Sequence, residues 1–265
     1  MQLTRHPRST QFEWQQSVST GYRLIAEEQA RAYEEQGYFL LEDAFTPEEM
    51  NAVVDAIAPL EEATEEFLKS RKNGTHAIAR SGEITFSPHL VTRSKVLKDF
   101  SLHPVFCALT HDLIGPAVRL YWDQAVYKKP GTADEFPWHQ DNGYTFVEPQ
   151  QYLTCWVALT DATEENGCPW VIPGIHRQGT LEHEWTPLGF RCFNNAEGAI
   201  AVPARAGSIV VFSSLTPHRT GPNQTGTIRK SYILQYAPDG AVMWRSDTES
   251  LVCDAPDRQY RVPAV

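Results

Sequence analysis

The stretch Pro137-Trp138-His139-Gln140-Asp141-Asn142-Gly143 sets an imidazole and a carboxylate two positions apart. On an extended strand, positions i and i+2 point the same way, so His139 and Asp141 can address one metal ion. One further imidazole completes a face of two histidines and one carboxylate. Such a face leaves three adjacent coordination positions, which suits an Fe(II) that must also take a cosubstrate and O₂. Alone the pair is unremarkable in number: with nine histidines in the chain, roughly one His-x-Asp/Glu is expected by chance. A hydrogen-bonded histidine in a turn fits the same residues.

The second imidazole must come from a distant segment, and His176, His183 and His218 are the candidates. His176 follows Pro173-Gly174-Ile175 in a turn-like stretch, and His183 lies in a charged segment that reads as exposed. His218 follows the apolar strand Ser208–Phe212 and the short segment 213–217, at the rim of a core strand where a rigid scaffold can hold a ligand. His103 and His111 belong to the helical half. Eleven positions beyond His218, Arg229 opens the strand 229–234. A dicarboxylate that chelates iron through a 2-oxo acid end leaves a far carboxylate needing a partner. A guanidinium serves, because its fork donates two parallel hydrogen bonds and stays charged when buried. A solvated strand-end charge is the plainer reading of an isolated Arg.

The elements that must hold these residues fall into two halves. Ala26, Ala30 and Tyr33 recur at helical spacing, with Gly37 as a C-cap, and Tyr38–Leu41 reads as a short buried strand. Thr46-Pro47-Glu48-Glu49 starts a second helix with Met50, Val53, Val54 and Ile57 on its buried face; Pro59 limits it, and a charged helical stretch resumes over 61–69. Beyond about Pro116 the chain turns to strands: 118–127, 153–159, 170–172, 199–202, 208–212 and 231–236, rich in β-branched and aromatic residues. Helices first and strands later, without βαβ alternation, predict a mainly β fold, a sandwich or barrel supported by N-terminal helices. No linker or repeat divides the 265 residues. We expect one domain over 1–265: a flexible arm over 1–20, mainly helical support over 21–115, a β core over 116–240 and a C-terminal extension over 241–265.

The formal charge is −10, from 23 Lys+Arg against 33 Asp+Glu. A negative field repels nucleic acid backbones and anionic lipid surfaces, leaving a small-molecule substrate as the expected partner. The five cysteines have no C-x-x-C spacing and read as reduced thiols of a cytoplasmic protein. The first twenty residues lack an apolar signal region, and no run approaches membrane-span length.

Three blocks resemble the phytanoyl-CoA dioxygenase family of Fe(II)/2-oxoglutarate oxygenases: PWHQDNGY at 137–144, NGCPWVIPGIHRQG at 166–179, and GSIVVFSSLTPHRTGPN…RKSYILQYA at 207–237. The opening YEEQGYFLLEDAFTPEEM at 33–50 is also similar, so the likeness spans about residues 26–240. The resemblance implies a double-stranded β-helix (jelly-roll, cupin-like) core flanked by N-terminal helices. It implies that His139, Asp141 and His218 bind Fe(II), and that Arg229 grips the distal carboxylate of 2-oxoglutarate. It further implies that Thr220 lies near that carboxylate and Trp156 near the cosubstrate, and that O₂ is the second cosubstrate. Related halogenases carry a small residue where this chain has Asp141, so hydroxylation or a related oxidation is expected instead. A non-catalytic jelly-roll binding module and a zinc-type isomerase or hydrolase are the competing classes; the Arg229 clamp weighs against the former.

Trp138, Tyr144 and Phe146 beside the metal motif are candidate pocket walls. Segments 70–92 and 175–198, the latter with Trp185, Phe190 and Phe193, are candidate covers. The first has Arg71, Lys72 and Arg80 against Glu83; the second has Arg177 and Arg191 against Glu182, Glu184 and Glu197. Neither is the dense basic cluster that a coenzyme A ester calls for, which favours a free small metabolite.

Overall fold

The computed structural model describes residues 3–16, 21–194 and 197–264. Its helices are α1 (Glu27–Gln36), α2 (Pro47–Ser70), α3 (Lys95–Ser101) and α4 (Pro104–Leu113). Local chemistry starts α2. Thr46 Oγ1 accepts from Glu49 N, the Glu49 carboxylate accepts from Thr46 N, and Pro47 fills a first-turn position that has no N–H partner to lose. The helix does not stop at Pro59, as the sequence suggests, but runs 24 residues through it. An interior proline forfeits a backbone hydrogen bond. Here Met50, Val53 and Ile57 before it and Leu68 after it are buried, so tertiary packing holds both halves in line.

The large antiparallel sheet has the spatial order β1 (Tyr38–Leu41), β13 (Ile209–Ser213), β8 (Leu153–Ala158), β15 (Arg229–Pro238), β5 (Val118–Lys128), β4 (Ile84–Pro88), β3 (Ala79–Arg80) and β2 (Thr75–His76). A second sheet has the order β12 (Ile200–Ala201), β9 (Pro169–Val171), β14 (His218–Thr220) and β6 (Phe136–His139). A third joins β17 (Ser250–Val252), β16 (Val242–Trp244) and β7 (Val147–Glu148), and β10 (Glu184–Thr186) forms a hairpin with β11 (Gly189–Arg191).

Residue parity assigns the two faces of the large sheet. Tyr232, Leu234 and Tyr236 of β15, Leu153, Cys155 and Val157 of β8, and Ile209 and Val211 of β13 share a core with Phe100, Phe106 and Leu109 of the helices. Ile233, Trp156, Ala158, Val210 and Phe212 share another with Val171 of the second sheet. Both faces are therefore covered, which is why Ile209-Val210-Val211-Phe212 is an unbroken apolar run. Each such fully buried side chain contributes roughly 1.5–3 kcal/mol. Where β15 meets β5 the register slips: Gln235 pairs with Trp122 but Tyr236 with Leu120, leaving Tyr121 as an extra residue. Such a bulge re-aims side chains.

Several segments take more structure than their sequence suggests. Segment 70–92 carries β2, β3 and β4 and so extends the large sheet. The C-terminal stretch supplies β16 and β17, with Cys253 buried beside Tyr121 and Tyr152. Of the expected arm, residues 3–16 lie along the body: Ser9 is fully buried and its Oγ donates to Gln150 Oε1, and His6 stacks on Phe146 with ring centroids 4.6 Å apart. Residues 1–2 and 17–20 of that arm, and 195–196 of the second cover, lie outside the described residues.

Gly37 connects the helical half to the site. It ends α1 at φ +85°, and its carbonyl accepts from Ser213 N at 3.0 Å and Thr216 Oγ1 at 2.7 Å, two residues before His218. A Cβ there would lie 2.5 Å from both His176 Nδ1 and Thr216 Oγ1. Left-handed backbone and overpacking both penalise a side chain, so Gly37→Ala is expected to cost about 2–4 kcal/mol. Denaturant unfolding checks this; a change below about 0.5 kcal/mol, the level of an ordinary surface substitution, would contradict it.

Candidate active site

His139 closes β6 and His218 opens β14, and the two are paired across the second sheet. His218 is therefore not at the rim of β13: residues 214–217 cross to the opposite sheet first. Asp141 begins a short 3₁₀ turn over Asp141–Gly143, so it faces His139 across a strand end instead of along a strand. One ligand atom from each of His139, Asp141 and His218 lies within 4.8 Å of the others. Asp141 Oδ1 is 3.9 Å from His139 Nε2 and 3.7 Å from His218 Nε2.

The backbone orients both rings. His139 Nδ1 donates to Pro137 O at 2.8 Å and His218 Nδ1 to Thr216 O at 3.0 Å, which leaves each Nε2 as a lone pair aimed at Asp141. Burial, then neighbouring His218, holds the His139 pKa well below its ordinary value, so the ring stays neutral as a metal ligand requires. Thr154 Oγ1 donates to Asp141 Oδ2 at 2.5 Å, leaving Oδ1 for a metal. Losing such an orienting bond typically lowers metal affinity 10- to 100-fold. Thr154→Val should weaken Mn(II) binding by about that range in a calorimetric titration, and an unchanged affinity would show that Thr154 does not orient the ligand.

Neither His176 nor His183 joins this cluster. His176 is buried edge-on to Trp14, centroids 4.5 Å apart, with burial lowering its pKa to about 4. His183 is itself half-buried between exposed Glu182 and Glu184: its Nε2 accepts from Gln140 N at 2.9 Å, bracing the backbone between the two motif residues. His103 caps α4, and His111 lies beside Asp112.

Arg229, at the start of β15, is 1% exposed. Its Nη1 donates to Val126 O and Ser231 Oγ, while Nε and Nη2 are buried without a partner among the described residues. Burial lowers its pKa to about 10, leaving it cationic at neutral pH. The Trp156 ring lies 5.3 Å from the guanidinium carbon, and Thr220 lines the same small cavity. That inner cavity, about 50 Å³, joins Arg229 to the ligand triad. Two buried donor nitrogens with no partner among the described residues fit a carboxylate, and two imidazoles with one carboxylate fit a divalent first-row ion.

Lys128, which local sequence gave no reason to single out, pairs in register with Arg229 and is also fully buried. Its amine donates to Asp134 O, Thr220 Oγ1 and Gly221 O, tying β5 to the segment after His218. Burial, then nearby Arg229, lowers its pKa to about 6. Neither side chain has an ion-pair partner among the described residues, and at neutral pH Arg229 alone of the two is a cation.

A wider cavity of about 320 Å³ opens beyond the triad and shares Phe86, Gln124, Phe136, His139 and Asp141 with the inner one. Of the three aromatics expected as pocket walls, Tyr144 lines it. Trp138 packs on Phe193 and Phe146 on His6 instead. Both expected covers contribute to its lining: Ala77, Ile78 and Phe86 from the first and Trp185 from the second.

The phytanoyl-CoA dioxygenase (PhyH) family profile matches residues 33–231. A phytanoyl-CoA dioxygenase of Arabidopsis thaliana is 26% identical over 172 residues, covering 63% of this chain and 61% of that protein. Phytanoyl-CoA dioxygenase domain-containing protein 1 of Danio rerio is 24% identical over 272 residues, covering 83% and 93%. EctD of S. alaskensis, crystallised with 2-oxoglutarate and 5-hydroxyectoine, superposes with a TM-score of 0.67 at 23% identity, covering 90% of this chain and 83% of that one. A double-stranded β-helix core, a buried His-Asp-His group and a profile match over three quarters of its length make this chain a member of the phytanoyl-CoA dioxygenase family of Fe(II)/2-oxoglutarate-dependent oxygenases.

Proposed function

We propose that the chain is a single catalytic domain over residues 1–265 that hydroxylates, or otherwise oxidises, a small organic molecule. One observation carries the reading. Two imidazole nitrogens and a carboxylate oxygen converge within 4.8 Å at one end of a cavity, and a buried Arg229 with two unpartnered N–H groups lines the same cavity. For hydroxylation the balance is substrate C–H + 2-oxoglutarate + O₂ → C–OH + succinate + CO₂. Bound Fe(II) supplies the O₂ chemistry that the side chains themselves lack.

The residues' tasks follow from their positions. His139, Asp141 and His218 would hold the metal ion, a ligand set that suits an Fe(II) also taking a cosubstrate and O₂. Arg229 receives the distal carboxylate, Thr220 offers it a hydroxyl, and Trp156 walls the slot. Phe86, Phe136, Phe212 and Ile233 exclude water around the metal. The substrate's reacting carbon then enters from the wider cavity.

All five cysteines are free, which supports a cytoplasmic location, and among the described residues no helix is long and apolar enough to cross a membrane. The test is anaerobic loading with Fe(II) and 2-oxoglutarate, followed by O₂. The expected results are the visible charge-transfer absorption of a 2-oxo acid chelated to Fe(II), then succinate formation that Zn(II) does not support. Binding without succinate formation would return the chain to a non-catalytic module, and Zn(II)-supported turnover to a hydrolytic class.

A further inference from the structure

The wider cavity has chemistry that the family assignment does not specify. Resting on the reading above, we infer that its occupant is an uncharged, ring-bearing small molecule that presents an amide or hydroxyl group to Gln124 and Gln235.

The walls come first. Tyr121, Trp122, Tyr144, Tyr152 and Trp185 line the cavity. The β-bulge is what brings both Tyr121 and Trp122 to it: without the extra residue, neighbours on β5 would face opposite sides of the sheet. Trp185 stands at the opening on the β10–β11 hairpin, 57% exposed, so it can be covered by a ligand stacked against it. Aromatic walls favour flat rings through offset and edge-to-face contacts.

Polarity narrows the class. Gln124 and Gln235 lie diagonally on neighbouring strands, since Gln235 pairs with Trp122 and Gln124 with Ile233. Gln235 is buried and Gln124 half-buried; neither side-chain amide bonds to any described residue, and both line the cavity, open to its solvent. A ligand that displaces water from these amides must replace its hydrogen bonds, or affinity is lost. Two of them side by side offer two NH₂ groups as donors and two carbonyl oxygens as acceptors to a ligand of matching pattern.

Charge excludes the rest. Among the described residues no Lys or Arg lines this cavity, and the charged or titrating groups there apart from tyrosines are the metal-ligand candidates His139 and Asp141. With a divalent metal, the cosubstrate dianion, Asp141 and Arg229 in place, the formal charges of the centre cancel. A carboxylate or phosphate ester entering here would shed its hydration without gaining a cation. The adjoining open groove does carry Arg8 and Arg245, but these face Asp247 at 3.7 Å and Glu249 at 3.8 Å.

The experiment is calorimetric titration of the Mn(II)-loaded protein, first with 2-oxoglutarate and then with matched probes. The probes are phenylacetamide and indole-3-acetamide, their carboxylates phenylacetate and indole-3-acetate, and benzoyl-CoA. The amides should bind saturably and at least tenfold tighter than the carboxylates, with no saturable benzoyl-CoA binding. Gln235→Leu should weaken the amides at least fivefold and leave the 2-oxoglutarate Kd within twofold. Carboxylates binding as tightly as amides, saturable benzoyl-CoA, amides that fail to saturate, or an indifferent Gln235→Leu would each overturn the inference. Failure of 2-oxoglutarate to bind in the first titration counts against the enzyme reading as well, so the two failures are told apart.

Discussion

Alanine at His139, Asp141 or His218 lowers Fe(II)-dependent succinate formation by more than about a thousandfold, because the three side chains act as one unit in holding the ion that does the chemistry. The fold should survive each change. His139→Ala and His218→Ala leave Pro137 O and Thr216 O without their imidazole donors, at about 1–3 kcal/mol each, which a domain of ordinary stability tolerates. Asp141→Ala strands Thr154 Oγ1, a hydroxyl that can turn to another acceptor. A second readout separates lost metal from lost structure. A metal at a hundredfold its Kd stabilises the folded protein by about 2.7 kcal/mol. Mn(II) should therefore raise the melting temperature of the native chain and leave that of all three variants unmoved. Any variant that keeps near-native turnover takes its residue out of the metal face.

Arg229→Leu produces opposite effects on stability and binding. The guanidinium is buried, with Lys128 as its register partner and without a carboxylate partner among the described residues. Replacing an uncompensated buried charge with an apolar side chain is often neutral or stabilising, so the melting temperature without cosubstrate should hold or rise. The 2-oxoglutarate Kd should rise by at least tenfold, because a buried charge-assisted pair is worth about 2–5 kcal/mol when one partner is removed. Mn(II) affinity should stay within about threefold, well under the 10- to 100-fold loss expected when a ligand-orienting group goes. Titration of 2-oxoglutarate into the Mn(II)-loaded variant is the measurement. An unchanged Kd would make Arg229 a purely structural cation. Lys128 bears on the pH dependence of the same site. Its folded pKa of about 6 lies below its unfolded value, so its contribution to stability is present at high pH and is lost as pH falls toward 6.

Much of the strand core is legible in the sequence because each core strand is locally coherent. Leu153–Ala158 and Ile209–Ser213 are buried throughout, and a strand covered on both faces is an apolar run whatever its neighbours are. The capped start of α2 is equally local. The His139–Asp141 pair is visible as spacing, whereas the residues by themselves left three histidines open as the third ligand. His218 and Arg229 became specific through the likeness of whole blocks to a known family.

The inventory is therefore local: the apolar core strands, the residue types that can bind metal and carboxylate, and the family pattern they follow. Tertiary structure decided everything that depends on one segment meeting another. Pro59 sits inside a helix because buried side chains on either side of it hold the axis. His183 braces Gln140 although 43 residues separate them, and Lys128 reaches Gly221 across 93. The faces of β15 follow the same logic: its alternation separates Arg229, Ile233 and Gln235 from Tyr232, Leu234 and Tyr236, but both sets are buried. Which set meets the helices and which meets the cavity depends on where the second sheet packs, a long-range choice that no local periodicity encodes. The bulge at Tyr121 is of the same kind, since an extra residue in β5 is defined only against the register of β15.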